Sequence, residues 1–203
     1  MHLIRKVTTK EVKRCYVISG GDTHPRKNQR PTADGLRKEL VRKKSKILSL
    51  TEDELDTIIG KEWKGTRLAA YDSADWYLGT VHPSEVGVWN RAGGLPVRWT
   101  NGSLAETAEK VKRGLAAGKL KNIRAGKVIS NILRTGTADL QKEKYLFPII
   151  FKGNTGTRGR RLLKRQMRGD IEDGCMRSIA LTISGSKTIT AYIGIPKKQT
   201  RQG

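Results

Sequence analysis

Negative charge is what this chain lacks most: 19 Asp and Glu stand against 41 Lys and Arg, a formal net charge of +22 over 203 residues. Cysteine is scarce as well. Cys15 and Cys175 lie far apart and outside any Cys-x-x-Cys spacing, which excludes a disulfide-stapled scaffold and leaves a zinc site without its usual ligands. His2, His24 and His82 are isolated from one another and from the cysteines, to the same effect. No apolar run approaches the roughly 18 residues of a membrane span, and neither a signal-like segment nor a lipidation motif is present. We therefore expect a reducing intracellular setting, cytoplasm or nucleoid, or the interior of a virion-like particle, and no membrane partner. Catalytic signatures are missing too: there is no P-loop, dinucleotide fingerprint or nucleophile elbow. The glycine-rich GNTGTRGRR beginning at Gly153 lacks the Lys-Ser/Thr ending of a P-loop.

A charge of this size exceeds what solubility requires, and it attracts polyanions. Nucleic acid, DNA or RNA, is the usual polyanion. The charge is uneven: residues 1–50 carry 14 basic and 4 acidic side chains, 51–110 carry 6 and 10, and 111–203 carry 21 and 5. The two basic ends are expected to fold together as one nucleic-acid-binding domain, with 51–110 as a less basic insertion or subdomain. All four tryptophans, Trp63, Trp76, Trp89 and Trp99, fall in that middle. It suits a compact core and a contact with a protein partner or a second copy.

One strongly cationic stretch runs from Lys144 to Arg168. Tyr145 to Phe151 reads as a buried strand, placed at an edge or bulge by Pro148. Gly153, Gly156 and Gly159 then mark a loop. Arg160, Arg161, Lys164, Arg165 and Arg168 recur at helical spacing opposite Leu163, Met167 and Ile171. With Arg158, these cations can each meet a phosphate, Arg by paired hydrogen bonds. A second basic helix is expected over 33–48, where Leu36, Leu40 and Ile47 oppose Lys38, Arg42, Lys43 and Lys46. A third starts near Leu120, with Ile123, Val128, Ile129, Ile132 and Leu133 opposing Lys119, Lys121, Arg124, Lys127 and Arg134. The candidate nucleic-acid contacts are thus Arg158, Arg160, Arg161, Lys164, Arg165, Arg168, Arg42, Lys43, Lys46, Lys121, Arg124 and Lys127. A basic run on a helix is often only a solvated face, so each of these needs a test in three dimensions.

Two helix starts carry a capping box: Thr51 with Glu54, and Ser103 with Glu106. Val12 to Ile18 reads as a strand ending at Gly20-Gly21. Val86–Trp89 and Val97–Trp99 are placed to pair across the turn-forming Asn90–Pro96. The chain is expected to close with a hairpin, Ile179-Leu181-Ile183 against Ile189-Ala191-Ile193-Ile195, joined by Gly185-Ser186-Lys187. The fold class is accordingly α+β: a mainly antiparallel sheet from the N-terminal strand, the 145–151 strand and the C-terminal hairpin, covered by helices.

The function expected from these features is nucleic-acid binding through the phosphate backbone; the sequence leans away from catalysis without deciding it, and a cofactor, Mg2+, is expected only under the nuclease alternative. Two alternatives stand beside it. One is a magnesium-dependent nuclease, drawing on Asp56 and the Glu62-Trp63-Lys64 pattern or on Asp170, Glu172 and Asp173. The acids at 170–173 are more economically read as counter-charges for nearby arginines. The other alternative is a structural component of a nucleoprotein particle.

Overall fold

The computed structural model describes residues 1–20, 44–61, 65–153, 155–157 and 167–197. Its elements are β1 (His2–Val7), α1 (Thr9–Gly20), α2 (Glu52–Gly60), α3 (Thr66–Asp72), β2 (Ala74–Val81), β3 (Val86–Gly87), α4 (Val97–Thr100), α5 (Leu104–Ala116), α6 (Arg124–Thr135), β4 (Ile149–Lys152), β5 (Gly169–Asp173), α7 (Cys175–Ile183) and β6 (Ile189–Pro196). The six strands form one sheet in the order β1-β2-β6-β4-β5-β3. Helices cover both of its faces.

Alternation along the strands assigns the two faces. Successive side chains on a strand point oppositely, and in β4 the neighbours Ile149 and Phe151 enter one core while Ile150 enters another. The first core packs Trp76, Phe151 and Tyr192 beneath α1, α2 and α3. The second packs Ile150, Ile171 and Ile193 beneath α5, α6 and α7. Close approach is needed where β6 crosses β2: a Cβ on Gly194 would meet the Trp76 ring at 2.9 Å. The described tryptophans divide between these cores, Trp76 in the first, Trp89 and Trp99 against the second. Residues 51–110, expected as a Trp-rich subdomain, place β2 between β1 and β6 and β3 beside β5 in the shared sheet.

The α+β class holds, but the sheet is mixed where a mainly antiparallel one was expected. β1–β2, β2–β6 and β4–β5 run antiparallel, while β4–β6 and β3–β5 run parallel. The reason lies at the C-terminus. Residues 179–183, read as a strand, belong to α7, so the chain passes from β5 to β6 through a helix and not through a hairpin. Gly185, at φ +89°, ends that helix: the amide of Ser186 donates to the Leu181 carbonyl and that of Gly185 to the Thr182 carbonyl. This is a Schellman cap, and it uses the glycine that the sequence offered as a hairpin loop.

The other corrections have the same origin. Val12–Ile18 lies in helix α1, because a short apolar run does not distinguish strand from helix. Here the amide of Glu11 donates to Thr8 Oγ1 at 3.1 Å, so Thr8-x-x-Glu11 carried a helix-start signal. The expected 145–151 strand contracts to Ile149–Lys152, preceded by a 3-10 turn at Lys144–Leu146. Pro148 sits just before it, its carbonyl accepting from the Tyr192 amide at 2.9 Å. Val97–Thr100 is a helical turn after Pro96, and Val86–Gly87 pairs with β5 instead. Ile171, assigned to the Arg-rich helix, lies in β5 and points into the second core. Both capping boxes form as expected, starting α2 and α5. Among the described residues no helix is long and apolar enough to cross a membrane.

Candidate functional site

One dense group of described cations lies in the α5–α6 segment. Between Glu109 and Asp139 the sequence carries eight basic residues and no acidic one. Helix α6 turns Ala125, Gly126 and Ile129 inward, which leaves its other side to solvent. Arg124 and Lys127 on α6, and Lys121 in the turn before it, are all exposed, and among the described residues none of the three has an ion-pair partner. Gly126 lets the turn that carries Lys121 pack closely against α6. A Cβ at that position would come within 2.2 Å of the Leu120 carbonyl oxygen, so only glycine allows the 120–123 turn to fold this tightly onto the helix. Neighbouring cations are partly engaged: Arg113 approaches Glu109 at 3.6 Å, and Arg134 donates to Asn131 Oδ1 at 2.9 Å.

The remaining sequence-derived candidates are not gathered with this layer. Lys46 is exposed on a helical stretch, 44–48, whose Ile47 packs into the first core. It therefore lies over the opposite sheet face from α6. Arg168 is exposed just before β5, and its guanidinium donates to Glu85 Oε1 at 2.9 Å. Arg42, Lys43, Arg158, Arg160, Arg161, Lys164 and Arg165 lie outside the described residues, as does the helix expected over 160–168 apart from its last positions.

The acidic candidates separate into two kinds. Asp56 pairs with Lys13 at 2.5 Å, and Asp72 joins it at 2.8 Å. Burial alone would lower the Lys13 ammonium, but the hydrogen bonds and charges of these two carboxylates raise it above its ordinary range. Asp56 thus serves a buried lysine, and Glu62 and Lys64 lie outside the described residues. Asp173 is engaged as well, accepting from Arg177 at 2.7 Å and from Ser19 at 2.8 Å.

Asp170 and Glu172 differ. Two residues apart on β5, they share the face turned toward α1 and α3, opposite Ile171. Both are buried, at 1% and 0% exposure. Glu172 Oε1 accepts from Arg67 Nε at 3.1 Å and from the Thr157 hydroxyl. Arg67 also donates to the Tyr16 hydroxyl, with its guanidinium 4.7 Å from the Tyr16 ring centre. The other acceptors of the pair, Glu172 Oε2 and both oxygens of Asp170, have no hydrogen-bond partner among the described residues. The Tyr71 hydroxyl, also buried, has none either. Burial, reinforced by the Glu172 charge, pushes the Asp170 carboxyl up to about 7. Burial and the same charge push the Tyr71 phenol well above its ordinary range.

A short loop closes this cluster. Gly153 takes φ +68°, and a Cβ built on Gly156 would stand 3.0 Å from both Asp170 Oδ2 and Glu172 Oε2, and 2.7 Å from Phe151. The loop backbone therefore lies directly over both carboxylates. Sequence reasoning named the two acids but missed Arg67, Tyr16 and Tyr71, because nothing in TRLAAYD marks an arginine that pairs 105 residues away. No group of three or more His, Cys, Asp or Glu side chains is placed to hold a metal ion among the described residues.

Comparison with protein-family models, curated proteins and solved structures finds no match for this chain.

Proposed function

We propose that the protein binds nucleic acid through the phosphate backbone, with the α5–α6 layer as one contact surface and the Arg-rich run from Arg158 to Arg168 as another. The observation that carries this reading is the exposed trio Lys121, Arg124 and Lys127, without acidic partners among the described residues, within a segment that has no acid between Glu109 and Asp139. Unpaired surface cations are neutral to folding, whereas beside a polyanion each releases a condensed counterion and gains affinity. Such contacts position a protein on a backbone without reading its sequence. Low sequence preference is therefore part of the proposal.

The test is a salt titration of binding to duplex DNA, single strands and structured RNA, followed by fluorescence anisotropy. If all three residues meet phosphates, the Lys121→Gln, Arg124→Gln, Lys127→Gln variant flattens log K against log salt on duplex DNA by about 2.7, at about 0.9 per contact. A slope unchanged in the variant removes this surface from the interface. Failure of the parent protein to bind any of the three polymers removes the function.

A further inference from the structure

We infer that Asp170 and Glu172 form a binding site for a single divalent cation of the magnesium class, Mg2+ or Mn2+. The inference stands apart from the nucleic-acid reading and rests on the geometry of β5 and the loop above it. Three carboxylate oxygens, both of Asp170 and Oε2 of Glu172, are buried without a hydrogen-bond donor among the described residues. Buried acceptors left in this way are costly. Two negatively charged groups sharing one face of a strand compound the cost.

The pair is arranged around a common space. Asp170 Oδ2 and Glu172 Oε2 each lie 3.0 Å from the point where Gly156 would carry a Cβ, so both oxygens approach one point that a side chain at 156 would occupy. Arg67 and Thr157 both hold Glu172 by Oε1, which leaves Oε2 as the atom presented to that space. A proton on Asp170 could supply one hydrogen bond between the carboxyls. A cation can engage oxygens of both groups at once and cancel their repulsion.

The donor set selects the metal. Among the described residues only oxygen is offered, with no imidazole or thiolate, which disfavours zinc and copper. Calcium takes six to eight oxygen ligands, mostly from the protein, whereas magnesium is commonly held by one or two carboxylates with water or phosphate completing its shell. The neighbouring Arg67 guanidinium serves as a positioning group for Glu172 and is not itself a ligand.

The experiment uses the full chain, freed of metal by chelator and dialysis, titrated with MnCl2 and MgCl2 by calorimetry and by thermal unfolding. The expected result is one Mn2+ bound per chain and, at about 100 times Kd, a rise in midpoint of about 5 to 10 °C. Asp170→Asn abolishes both signals. Its amide can hydrogen-bond Glu172, so the variant is expected to fold, which circular dichroism verifies. Gly156→Ala keeps both carboxylates but weakens Mn2+ binding several-fold by occupying the point that both oxygens approach. A wild-type protein that binds no stoichiometric Mn2+, or a midpoint shift that persists in Asp170→Asn, overturns the inference. The first of these outcomes decides the matter even if a variant does not fold.

Discussion

Replacing Arg67 by methionine tests whether the buried ionic cluster is integral to the fold. Arg67 is 1% exposed and its partner Glu172 0%, with Nε 3.1 Å from Oε1. Methionine retains much of the apolar stem but removes every Arg67 donor, so among the described residues Glu172 would be left beside Asp170 and the Tyr71 phenol with only the Thr157 hydroxyl to support it. Removing one partner of a buried pair typically costs about 3 to 5 kcal/mol, most of it the desolvation of the charge left behind. Loss of the cation from the Tyr16 ring acts in the same direction. For a chain of this length that corresponds to a fall in thermal midpoint of about 6 to 20 °C. Urea unfolding followed by tryptophan fluorescence suits the measurement, because Trp76 lies in the same core, 5.1 Å from the Phe151 ring that Gly156 also approaches. A Glu172→Gln change made in the Arg67→Met background should restore part of the loss, since the two sites are in contact and their effects do not add. A destabilisation below about 1 kcal/mol would refute the reasoning, since a loss that small is typical of a solvent-exposed pair.

The Asp170 carboxyl, raised to about 7 by burial and by Glu172, holds its proton longer in the folded state than in the unfolded chain. In the presence of chelator, stability should fall as pH rises from about 4 to about 7, by up to about 1.4 kcal/mol per unit. Asp170→Asn should remove that component, and identical pH slopes in the two proteins would exclude it. The cysteines give a separate check. Cys15 and Cys175 are buried in different cores on opposite faces of the sheet, and burial pushes the Cys15 thiol up. Neither should react with a disulfide reagent until the protein is denatured, and rapid native labelling of one thiol per chain would contradict the packing described.

Legibility in the sequence followed the range of the interactions concerned. Thr51 with Glu54 and Ser103 with Glu106 marked their helices correctly, because a capping box is completed within four residues. The amphipathic spacing of 104–115 was readable for the same reason. The segments at 12–18 and 179–183 were not, since their apolar spacing satisfies a helix and a strand alike and the choice depends on what covers them. Gly185 illustrates the ambiguity: a left-handed glycine serves a hairpin turn or a Schellman cap equally well. Of the candidate site, the acids at 170 and 172 and the cations at 121, 124 and 127 could be named from the chain. Their opposite fates among the described residues, three of four carboxylate oxygens buried without a donor in one case and exposure without an acidic partner in the other, could not.

The excess of basic over acidic residues, its concentration outside 51–110, and the starts of two helices were set by composition and by contacts only a few positions long. The folded arrangement decided the strand order, the mixed direction of the sheet, and the meeting of Arg67 with Glu172 under the Gly156 loop. Burial and ion pairing act between groups distant in the chain, and their strength depends on the surrounding dielectric. A carboxylate acquires its character from the side chains that close over it, and those are chosen by the fold as a whole.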